Sequence, residues 1–430
     1  MNILHLSALP VWSMEGKGGM PSLRKTLDGH GAAGHNIFLI LPSYDLFSDD
    51  FIQVVIPAGS GDDVSVADCR WLPALKKLRA AMRRLSGGRE LNSMVRWFLN
   101  VAMMLMITVS LFQTARRVVR HGFQPDLIYA HNQFAALAGF LIARRLKVPN
   151  VTRLYGTFLA DLIKKPLVSL RYPTAAAGYK IPSSLLICAN DGTRGDEVAR
   201  AFKVPDSRFR FWQNGVDPPL SPPDLTRREI AERFGGGFRL ESQWVVSCSR
   251  LSYWKRIDRM LHALAVCRAG GCDCQLLVAG DGAERHGLQT LAHRLGIAGD
   301  VVFLGALAHD DIWALMNVAD IFMITNDVTN RCNPLYEAAW AGLPVVSVFD
   351  PSTADLLRDG RNALLAPKGD IQALGAKLAE LCRNESLAGR MRKAQRELAA
   401  SFWTWEERMS VETQEIEAVV ARLKADNTSE

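Results

Sequence analysis

The chain has 430 residues, which is enough for two domains of about 200 residues each. Apolar residues make up 48% of it and charged residues 22%, a balance that excludes fibrous and wholly disordered proteins. The net charge of +7 indicates an anionic partner, and nucleic acid, anionic lipid and nucleotide-sugar all satisfy it. The cysteines have neither zinc nor thioredoxin spacing, which indicates small buried side chains in a reducing compartment.

Short apolar runs alternate with longer helical patterns along the whole chain, which is the pattern of parallel sheets connected by helices. The near-continuous apolar runs indicate strands that helices cover on both faces. The predicted strands are Ile3–Leu6, Asn36–Leu41, Phe51–Val55, Leu127–Tyr129, Asn150–Leu154, Leu185–Cys188, Trp244–Cys248, Gln275–Ala279, Val301–Leu304, Ile321–Ile324 and Val345–Val348. The sequence therefore predicts an α/β protein with two doubly wound, Rossmann-like parallel-sheet domains.

The proline-rich segment Pro218–Pro223 is a stiff loop that a helix does not cross. We place the domain boundary there, with an N-terminal domain at 1–218 and a C-terminal domain at 219–404. Ligands bind at the carboxyl ends of the strands in such domains, so we expect the two to face across a cleft that holds the active site. Met1–Ser7 has no basic region or cleavage site of a signal peptide, and we expect a cytoplasmic protein.

The first predicted strand is followed by a glycine-rich loop, Gly16–Gly19, and by Pro21, which suits the first turn of a helix. Gly18 and Gly19 would let the backbone approach a bound phosphate or sugar. The alternative interpretation is an ordinary flexible loop.

Two cations stand five residues apart after the first strand of the second half, at Arg250 and Lys255. A guanidinium and an ammonium at the carboxyl end of a parallel strand suit a diphosphate, because one grips two oxygens and the other supplies a point charge. The alternative is a solvated basic loop. A predicted amphipathic helix follows, with Ile257, Met260, Leu261 and Leu264 on its apolar face.

Two further segments could contact the same ligand. Gly280, Asp281 and Gly282 form a tight turn whose small residues would admit a ligand, although such turns are common. In the segment Asn333–Pro344, Glu337 is predicted in the first turn of a short helix, where the helix dipole favours a carboxylate. That carboxylate could equally accept hydrogen bonds from sugar hydroxyls.

The second half resembles the large fourth family of retaining GT-B glycosyltransferases, the group 1 glycosyl transferases. The family's motifs recur in order at Arg250 to Lys255, Val278 to Arg285, Asn333 to Glu337 and Asp359 to Asp370, and the first domain closes with Asn214-Gly-Val-Asp217. The resemblance implies that Arg250 and Lys255 bind the diphosphate and that Glu337 binds the ribose. It also implies that Asn333 and Leu335 belong to the nucleotide-sugar site, and that the last helix, 405–430, crosses back onto the first domain.

The chain departs from that family at two positions. Thr329 stands where the family has a glutamate that contacts the transferred sugar, and Asn330 follows it where glycine is usual. Tyr155 replaces a histidine at the end of a strand of the first domain, and we expect its phenol to donate a hydrogen bond to a sugar hydroxyl. His131, after the preceding strand, is a further candidate, with a capping or packing role as the alternative.

The segment 76–120 is strongly basic. It contains ten lysine and arginine residues and one acid, Glu90, for a net charge of 10 − 1 = +9, and it surrounds the apolar run Trp97–Phe112. Cations beside an apolar helix suit peripheral contact with anionic lipid. The alternative is a buried crossover helix with a solvated basic neighbour. The run is shorter than the ~20 apolar residues of a membrane span, and without stacking aromatics we expect no nucleic acid partner.

The sequence predicts a glycosyltransferase that moves a sugar from a nucleoside-diphosphate sugar to a hydroxyl of a glycan or lipid-linked acceptor. The resemblance implies retention of anomeric configuration, and neither a metal nor a cofactor is expected, in agreement with the lack of an Asp-x-Asp motif. Two alternatives stay open. One is a non-hydrolysing nucleotide-sugar epimerase of the same architecture, and the other is a degenerate, non-catalytic binder of nucleotide-sugar, which Thr329 and Tyr155 would favour.

Overall fold

The computed structural model describes residues 1–8, 21–41, 64–68, 93–217 and 225–428. The chain divides into two compact units, Met1–Gly215 with Trp405–Glu430 and Val216–Thr404. Each unit contains one sheet in which neighbouring strands run parallel. The predicted α/β class with two parallel-sheet domains is therefore confirmed.

The first unit contains a seven-stranded sheet in the order β3-β2-β1-β4-β5-β6-β7. The direction of strand addition reverses between β1 and β4, so the loops after these two strands flank the position where doubly wound sheets bind ligands. The strands are β1 Asn2–Ser7, β2 Asn36–Leu41, β3 Val64–Asp68, β4 Leu127–His131, β5 Asn150–Leu154, β6 Leu185–Ala189 and β7 Phe209–Trp212.

Helices connect these strands and cover the sheet. Their bounds are Pro21–Ala32, Ser93–Arg120, Ala136–Leu146, Val168–Arg171, Pro173–Lys180, Gly195–Ala201 and Trp405–Thr428. Pro21 occupies the first position of its helix, as predicted. The last helix lies in this unit, where Ile416 and Val420 pack with Ile3 and Tyr129 of the sheet.

The second unit contains a six-stranded sheet in the order β10-β9-β8-β11-β12-β13, which reverses between β8 and β11. Alternate residues of β8 enter different cores, Val245 on one face and Trp244 and Val246 on the other, because successive strand side chains point to opposite faces. The strands are β8 Gln243–Cys248, β9 Cys274–Ala279, β10 Val301–Gly305, β11 Ile321–Ile324, β12 Val345–Val348 and β13 Ala363–Ala366.

The helices of the second unit are Arg227–Phe234, Ile257–Ala269, Arg285–Arg294, His309–Val318, Asn333–Trp340, Ile371–Arg383 and Glu385–Ala399. The first begins with a capping box, in which Thr226 and Glu229 each bind the other's backbone. The amphipathic helix predicted after Arg250 and Lys255 is present, and all four residues of its predicted apolar face are buried.

Ten of the eleven predicted strands are present, and the eleventh, Phe51–Val55, lies outside the described residues. The apolar run Trp97–Phe112 is part of the longer helix Ser93–Arg120. Within the described part of the chain, this is the one helix long and apolar enough to span a membrane by length and composition, and 39% of its apolar window is buried. The helix precedes β4 as expected of a crossover helix, but only its C-terminal half is largely buried, which includes Ile107, Leu111 and Ala115.

Candidate functional site

Two loops meet at the point where the strand order of the second sheet reverses. One loop follows β8 and carries Arg250 and Lys255, and the other follows β11 and leads to helix Asn333–Trp340. The backbone N–H of Asp327 donates to the carbonyl of Trp254 at 2.9 Å, and the Thr325 hydroxyl donates to the carbonyl of Arg256 at 2.9 Å. The fold thus joins two segments that are about 70 residues apart in sequence.

The two cations of the first loop differ from their arginine neighbours. Within residues 225–428, neither Arg250 nor Lys255 forms an ion pair, whereas Arg256 pairs with Asp258 and Asp327. Arg250 is exposed, and the Lys255 ammonium lies 4.3 Å from the centre of a Trp254 ring, which limits its freedom. The structure therefore presents two cations that carry no protein counter-charge in this unit.

Lys255 and Glu337 act on the same two thiols. Burial raises the pKa of Cys248, at the end of β8; the Glu337 carboxylate raises it further and Lys255 lowers it. Burial also raises the pKa of Cys332, just before helix Asn333–Trp340, and Lys255 and Glu337 again have opposite effects. The ammonium and the carboxylate thus both lie within electrostatic reach of the same two thiols at this edge of the sheet.

Glu337 lies in the second turn of its helix, so its predicted place in the first turn is wrong. The helix begins four residues earlier, at Asn333, with Pro334 in its first turn, where a missing N–H costs no helix bond. Glu337 is 7% exposed, and its Oε1 lies 3.0 Å from Nε2 of His309, at the start of helix His309–Val318. Asn333 is exposed, while the Leu335 side chain packs in the core.

The turn Gly280–Gly282 packs against the loop that carries Arg250. A Cβ at Gly280 would overlap the Ser249 carbonyl, and one at Gly282 would overlap the Leu251 carbonyl. Gly280 also has a φ of +140°, which favours glycine. The Asp281 carbonyl accepts from the Leu251 N–H at 2.9 Å, and its carboxylate contacts Arg285 at 3.2 Å. These glycines therefore allow the backbone of the neighbouring loop to pack against the turn. From the sequence alone, contact with a ligand is the expected role instead.

Thr329 is held by its own loop and by the loop that follows β12. Its Oγ1 lies 2.8 Å from Oγ of Ser352 and accepts from the Arg331 N–H at 3.0 Å. Asp350, which follows β12, accepts from the Asn330 N–H at 2.6 Å and from the Ser352 hydroxyl at 2.7 Å. Asn330 is fully buried, and its Nδ2 has no acceptor among the described residues. Sequence reasoning did not single out Ser352, Asp350 or His309, because they come from other loops.

In the first unit, Tyr155 immediately follows β5, at the ligand-binding edge of the sheet. Its hydroxyl lies 2.6 Å from Nδ1 of His131, the last residue of β4, and the two rings stack. The Arg153 guanidinium lies 5.6 Å from the centre of the Tyr155 ring, and burial raises the pKa of the phenol. Gly18 and Gly19 lie outside the described residues.

Behind Tyr155 lies a buried polar cluster that no sequence motif predicts. His5, His30 and His131 are fully buried, and Glu412 of the last helix contacts both Arg153 and Arg408. Glu412 also accepts from the Tyr129 hydroxyl. The two arginines hold the pKa of Glu412 at about 2, against the raising effect of burial.

One cluster in the described residues has side chains that could hold a metal. The Sγ atoms of Cys267, Cys274 and Cys382 lie within 4.8 Å of one another in the core of the second unit. Cys274 begins β9, while the turn at Gly280 follows the other end of that strand. This thiol cluster is thus at the opposite edge of the sheet from Arg250 and Lys255.

Two family models match the chain. The Glycosyltransferase Family 4 model matches residues 26–219, and the Glycosyl transferases group 1 model matches residues 229–398. Among curated relatives, a GDP-mannose-dependent phosphatidylinositol monomannoside mannosyltransferase of Mycobacterium tuberculosis is 28% identical over 210 residues, which are 47% of this chain and 54% of the relative. An alpha-monoglucosyldiacylglycerol synthase of Streptococcus pneumoniae is 26% identical over 55% of each chain. The chain matches about half the length of these relatives.

Solved structures match over almost the whole chain. HepE of Anabaena, solved with UDP, has a TM-score of 0.66 and 21% identity, with 96% of this chain and 100% of HepE covered. WaaG, a glycosyltransferase involved in lipopolysaccharide biosynthesis, has a TM-score of 0.65 and 14% identity, with 96% and 98% covered. These similarities show the fold, and the two family models together account for most of the chain. The chain belongs to the group 1 glycosyltransferases and has the two-domain GT-B fold.

Proposed function

We propose that this protein transfers a sugar from a nucleoside-diphosphate sugar to a hydroxyl of a glycan or lipid-linked acceptor, with retention of configuration. The observation that carries the proposal is the juxtaposition of Arg250 and Lys255, two cations without a protein counter-charge in their unit, with the buried carboxylate of Glu337. Cations suit a diphosphate, and a fixed carboxylate suits the hydroxyls of a ribose.

Each side chain has a distinct role in this proposal. Arg250 and Lys255 stabilise the negative charge that develops on the departing diphosphate, a contribution usually worth several kcal/mol. Glu337, held by His309, orients the ribose. The turn Gly280–Gly282 keeps the basic loop in place through its close backbone contacts. Tyr155, Gly18 and Gly19 serve the sugar and the acceptor.

The two cations can neutralise the leaving diphosphate without a metal ion, so we propose a metal-independent reaction that needs no cofactor. A lipid-linked acceptor is supported by two relatives, which are named for a phosphatidylinositol mannoside and a diacylglycerol glycolipid. HepE, solved with UDP-glucose, supports a nucleotide-sugar donor. We propose a cytoplasmic enzyme that works at the membrane surface.

The surface of helix Ser93–Arg120 supports this membrane contact. Four exposed apolar side chains recur at helical spacing on one face of this helix, and we call them the apolar stripe. They are Met94 (66% exposed), Phe98 (65%), Leu105 (49%) and Val109 (54%). The Trp97 indole donates to the carbonyl of Leu170 at 2.6 Å. This bond connects the helix to a second segment, residues 164–171, in which Leu167 and Leu170 are exposed. Exposed cations at Arg116, Arg117, Lys164, Lys165 and Arg171 belong to the same two segments. Apolar side chains with cations beside them suit an anionic lipid surface.

A screen of nucleotide-sugars tests the function. The purified protein is incubated with each donor and a lipid or glycan extract, and the release of nucleoside diphosphate and the anomeric configuration of the product are measured. We expect one donor class to be consumed only when acceptor is present. Interconversion of sugars without acceptor would indicate the epimerase instead. Binding of nucleotide with no turnover of any donor would indicate the degenerate binder.

A further inference from the structure

A continuous chain of imidazole rings crosses the interior of the first unit from Tyr155 to Glu412. The Tyr155 hydroxyl lies 2.6 Å from Nδ1 of His131, and Nε2 of His131 lies 2.9 Å from Nδ1 of His5. Nε2 of His5 lies 3.3 Å from Nδ1 of His30, and Nε2 of His30 lies 3.7 Å from Oε1 of Glu412. Hydrogen bonds are thus continuous from Tyr155 to Nδ1 of His30, whereas the contact of His30 Nε2 with Glu412 is electrostatic and not a hydrogen bond.

Glu412 sets the direction of every hydrogen bond in this chain. Arg153 and Arg408 contact its carboxylate at 3.0 Å and 2.8 Å and hold it in the ionised form, which accepts hydrogen bonds and donates none. Nε2 of His30 faces this negative charge at 3.7 Å, so the electrostatic energy favours the tautomer that carries the proton on that nitrogen. A neutral imidazole has one donor and one acceptor, so Nδ1 of His30 accepts from its other neighbour.

The other two histidines take the same orientation as His30. His5 donates from Nε2 to His30 and accepts at Nδ1, and His131 donates from Nε2 to His5 and accepts at Nδ1. The Tyr155 hydroxyl must then be the donor of its bond to His131. The opposite direction would place the lone pair of His30 Nε2 against the Glu412 carboxylate, which repels the partial negative charge of that nitrogen.

Burial, and after it the surrounding charges, keeps the three rings neutral. Burial lowers the pKa of His5 and His131 well below the usual value, and it lowers the pKa of His30 to about 4. Arg153 and Arg408 supply two positive charges against the single negative charge of Glu412, so a further proton is disfavoured. The remaining titratable neighbours are His35, beside the N-terminal amine and Glu417, and Tyr129, which donates to Glu412.

We infer that this histidine chain fixes Tyr155 as a hydrogen-bond acceptor toward its ligand. The O–H of Tyr155 is donated inward to His131, and its remaining lone pair receives a hydroxyl of the donor sugar or of the acceptor. His131, His5, His30 and Glu412 are positioning residues, because they act only through Tyr155. The inference rests on the proposed function for the identity of the ligand, and it reverses the donor role that the sequence predicts for this phenol.

The tautomers can be observed without any transfer assay. In protein with ¹⁵N-labelled histidine, the ¹⁵N shifts of each ring report which nitrogen carries the proton, and single His→Gln variants assign the signals among the nine histidines. We expect the Nε2–H tautomer for His5, His30 and His131 at neutral pH, with the exposed His286 as a reference that averages over both tautomers. An Nδ1–H tautomer or a charged ring at His131 would overturn the inference.

The ligand group is identified with substrate analogues once a donor and acceptor pair is known. Deoxy and fluoro analogues replace each hydroxyl in turn, in separate series for the donor sugar and the acceptor. At one hydroxyl we expect both replacements to lower kcat/KM about three- to tenfold, because neither can donate a hydrogen bond. In Tyr155→Phe, the two analogues and the parent sugar should have the same kcat/KM.

The comparison of the two analogues decides the direction of the bond. If the fluoro analogue keeps the kcat/KM of the parent sugar while the deoxy analogue loses it, Tyr155 donates and the inference is wrong. If no hydroxyl shows a loss that depends on Tyr155, the inference also fails. If no donor is turned over at all, the proposed function fails, and the ¹⁵N shifts still decide the tautomers.

Discussion

Nε2 of His309 lies 3.0 Å from Oε1 of Glu337, so one oxygen of the carboxylate is already held before any ligand binds. His309 begins helix His309–Val318, and Glu337 lies in helix Asn333–Trp340, so two separate elements fix this position. A carboxylate that is already oriented loses less conformational freedom on binding, which favours affinity.

Replacing either member of this pair should weaken nucleotide binding to different extents. Glu337→Gln removes the charge that would accept from a ribose hydroxyl, and we expect about a tenfold or greater loss of affinity for a bare nucleoside diphosphate. His309→Ala keeps the charge of Glu337 but no longer holds its side chain in one rotamer, so the loss of affinity should be about threefold. Calorimetric titration measures both. If the two variants bind as wild type does, the ribose contacts another residue.

Lys255→Ala should reduce the affinity for bare nucleoside diphosphate more strongly than His309→Ala does. The variant loses a charge-assisted bond worth roughly 1.5–3 kcal/mol, which corresponds to about ten- to more than hundredfold in Kd. Lys393→Ala, on an exposed position of helix Glu385–Ala399, removes the same charge elsewhere in the unit and should leave Kd unchanged. Equal affinities for Lys255→Ala and the control would place the diphosphate away from this loop.

The strands that the sequence failed to predict are β3, β7 and β13, and all three lie at the edges of their sheets. Central strands are buried on both faces and appear as continuous apolar runs. β7, with the sequence Phe-Arg-Phe-Trp, is half-exposed along its whole length and alternates with a charge, so it lacks that signal. Of the strands that were predicted, β10 also lies at an edge, and the other nine are interior and recognisable by their apolar runs.

The candidate site was predictable only where its residues share a motif. Arg250, Lys255 and Glu337 each belong to a segment that resembles the family's, and the structure brings these segments together. His309 and the buried Glu412 contribute through contacts between distant elements, with 28 residues separating His309 from Glu337 and 259 separating Arg153 from Glu412. Local spacing contains no information about such pairs.

Thr329→Glu should change the preference among donor sugars and leave the affinity for bare nucleoside diphosphate nearly unchanged. Thr329 belongs to the loop after β11. The substitution leaves unchanged Arg250 and Lys255, which we assign to the diphosphate, and Glu337, which we assign to the ribose. The new carboxylate would lie close to Ser352 and Asp350, so we also expect a lower melting temperature through like-charge repulsion. Turnover across a sugar panel measures the preference.

Thr329→Val is the matched control, because it keeps the shape of threonine and removes the hydroxyl that contacts Ser352. We expect it to lower stability by about 1 kcal/mol and to leave the order of donors as in wild type. An altered order of donors in Thr329→Val would show that the native hydroxyl itself selects the sugar. An unchanged order in Thr329→Glu would show that this position does not contact it.

Binding to anionic vesicles should depend on both the apolar stripe and the cations at the end of its helix. Arg116→Ala with Arg117→Ala should weaken binding about thirtyfold at low salt, at about 1 kcal/mol per charge. Phe98→Asn with Leu105→Gln should weaken it at all salt concentrations, because apolar burial is not screened by ions. Co-sedimentation with vesicles of anionic and neutral lipid measures both.

Arg390→Ala with Lys393→Ala, two exposed cations of the second unit, is the control for net charge and should bind as wild type does. If the control weakens binding as much as Arg116→Ala with Arg117→Ala, the attraction reflects the overall charge of +7 and not this surface. If wild type does not bind anionic vesicles at low salt, the membrane contact is wrong.

His30 should make the stability of the first unit depend on pH between about 6.5 and 4. Burial lowers its pKa from 6.5 to about 4, although Glu412 acts in the opposite direction. In this window the unfolded chain binds a proton that the folded chain does not, so stability is full above pH 6.5 and falls as the pH drops toward 4. A shift of this size corresponds to a loss on the order of 3 kcal/mol.

Hydrogen exchange of amides in β1 and β4 measures the opening free energy of this unit separately from the second. Wild type should lose stability steadily from pH 6.5 to 4.5. His30→Gln should show a shallower slope over the same range, because residue 30 no longer titrates in the variant. Glu412, whose pKa is held at about 2, destabilises the fold only at lower pH, below about 4.3, where the unfolded carboxyl is protonated. The same slope in wild type and His30→Gln would mean that His30 titrates as it does in water, and that this ring is not buried among neutral partners.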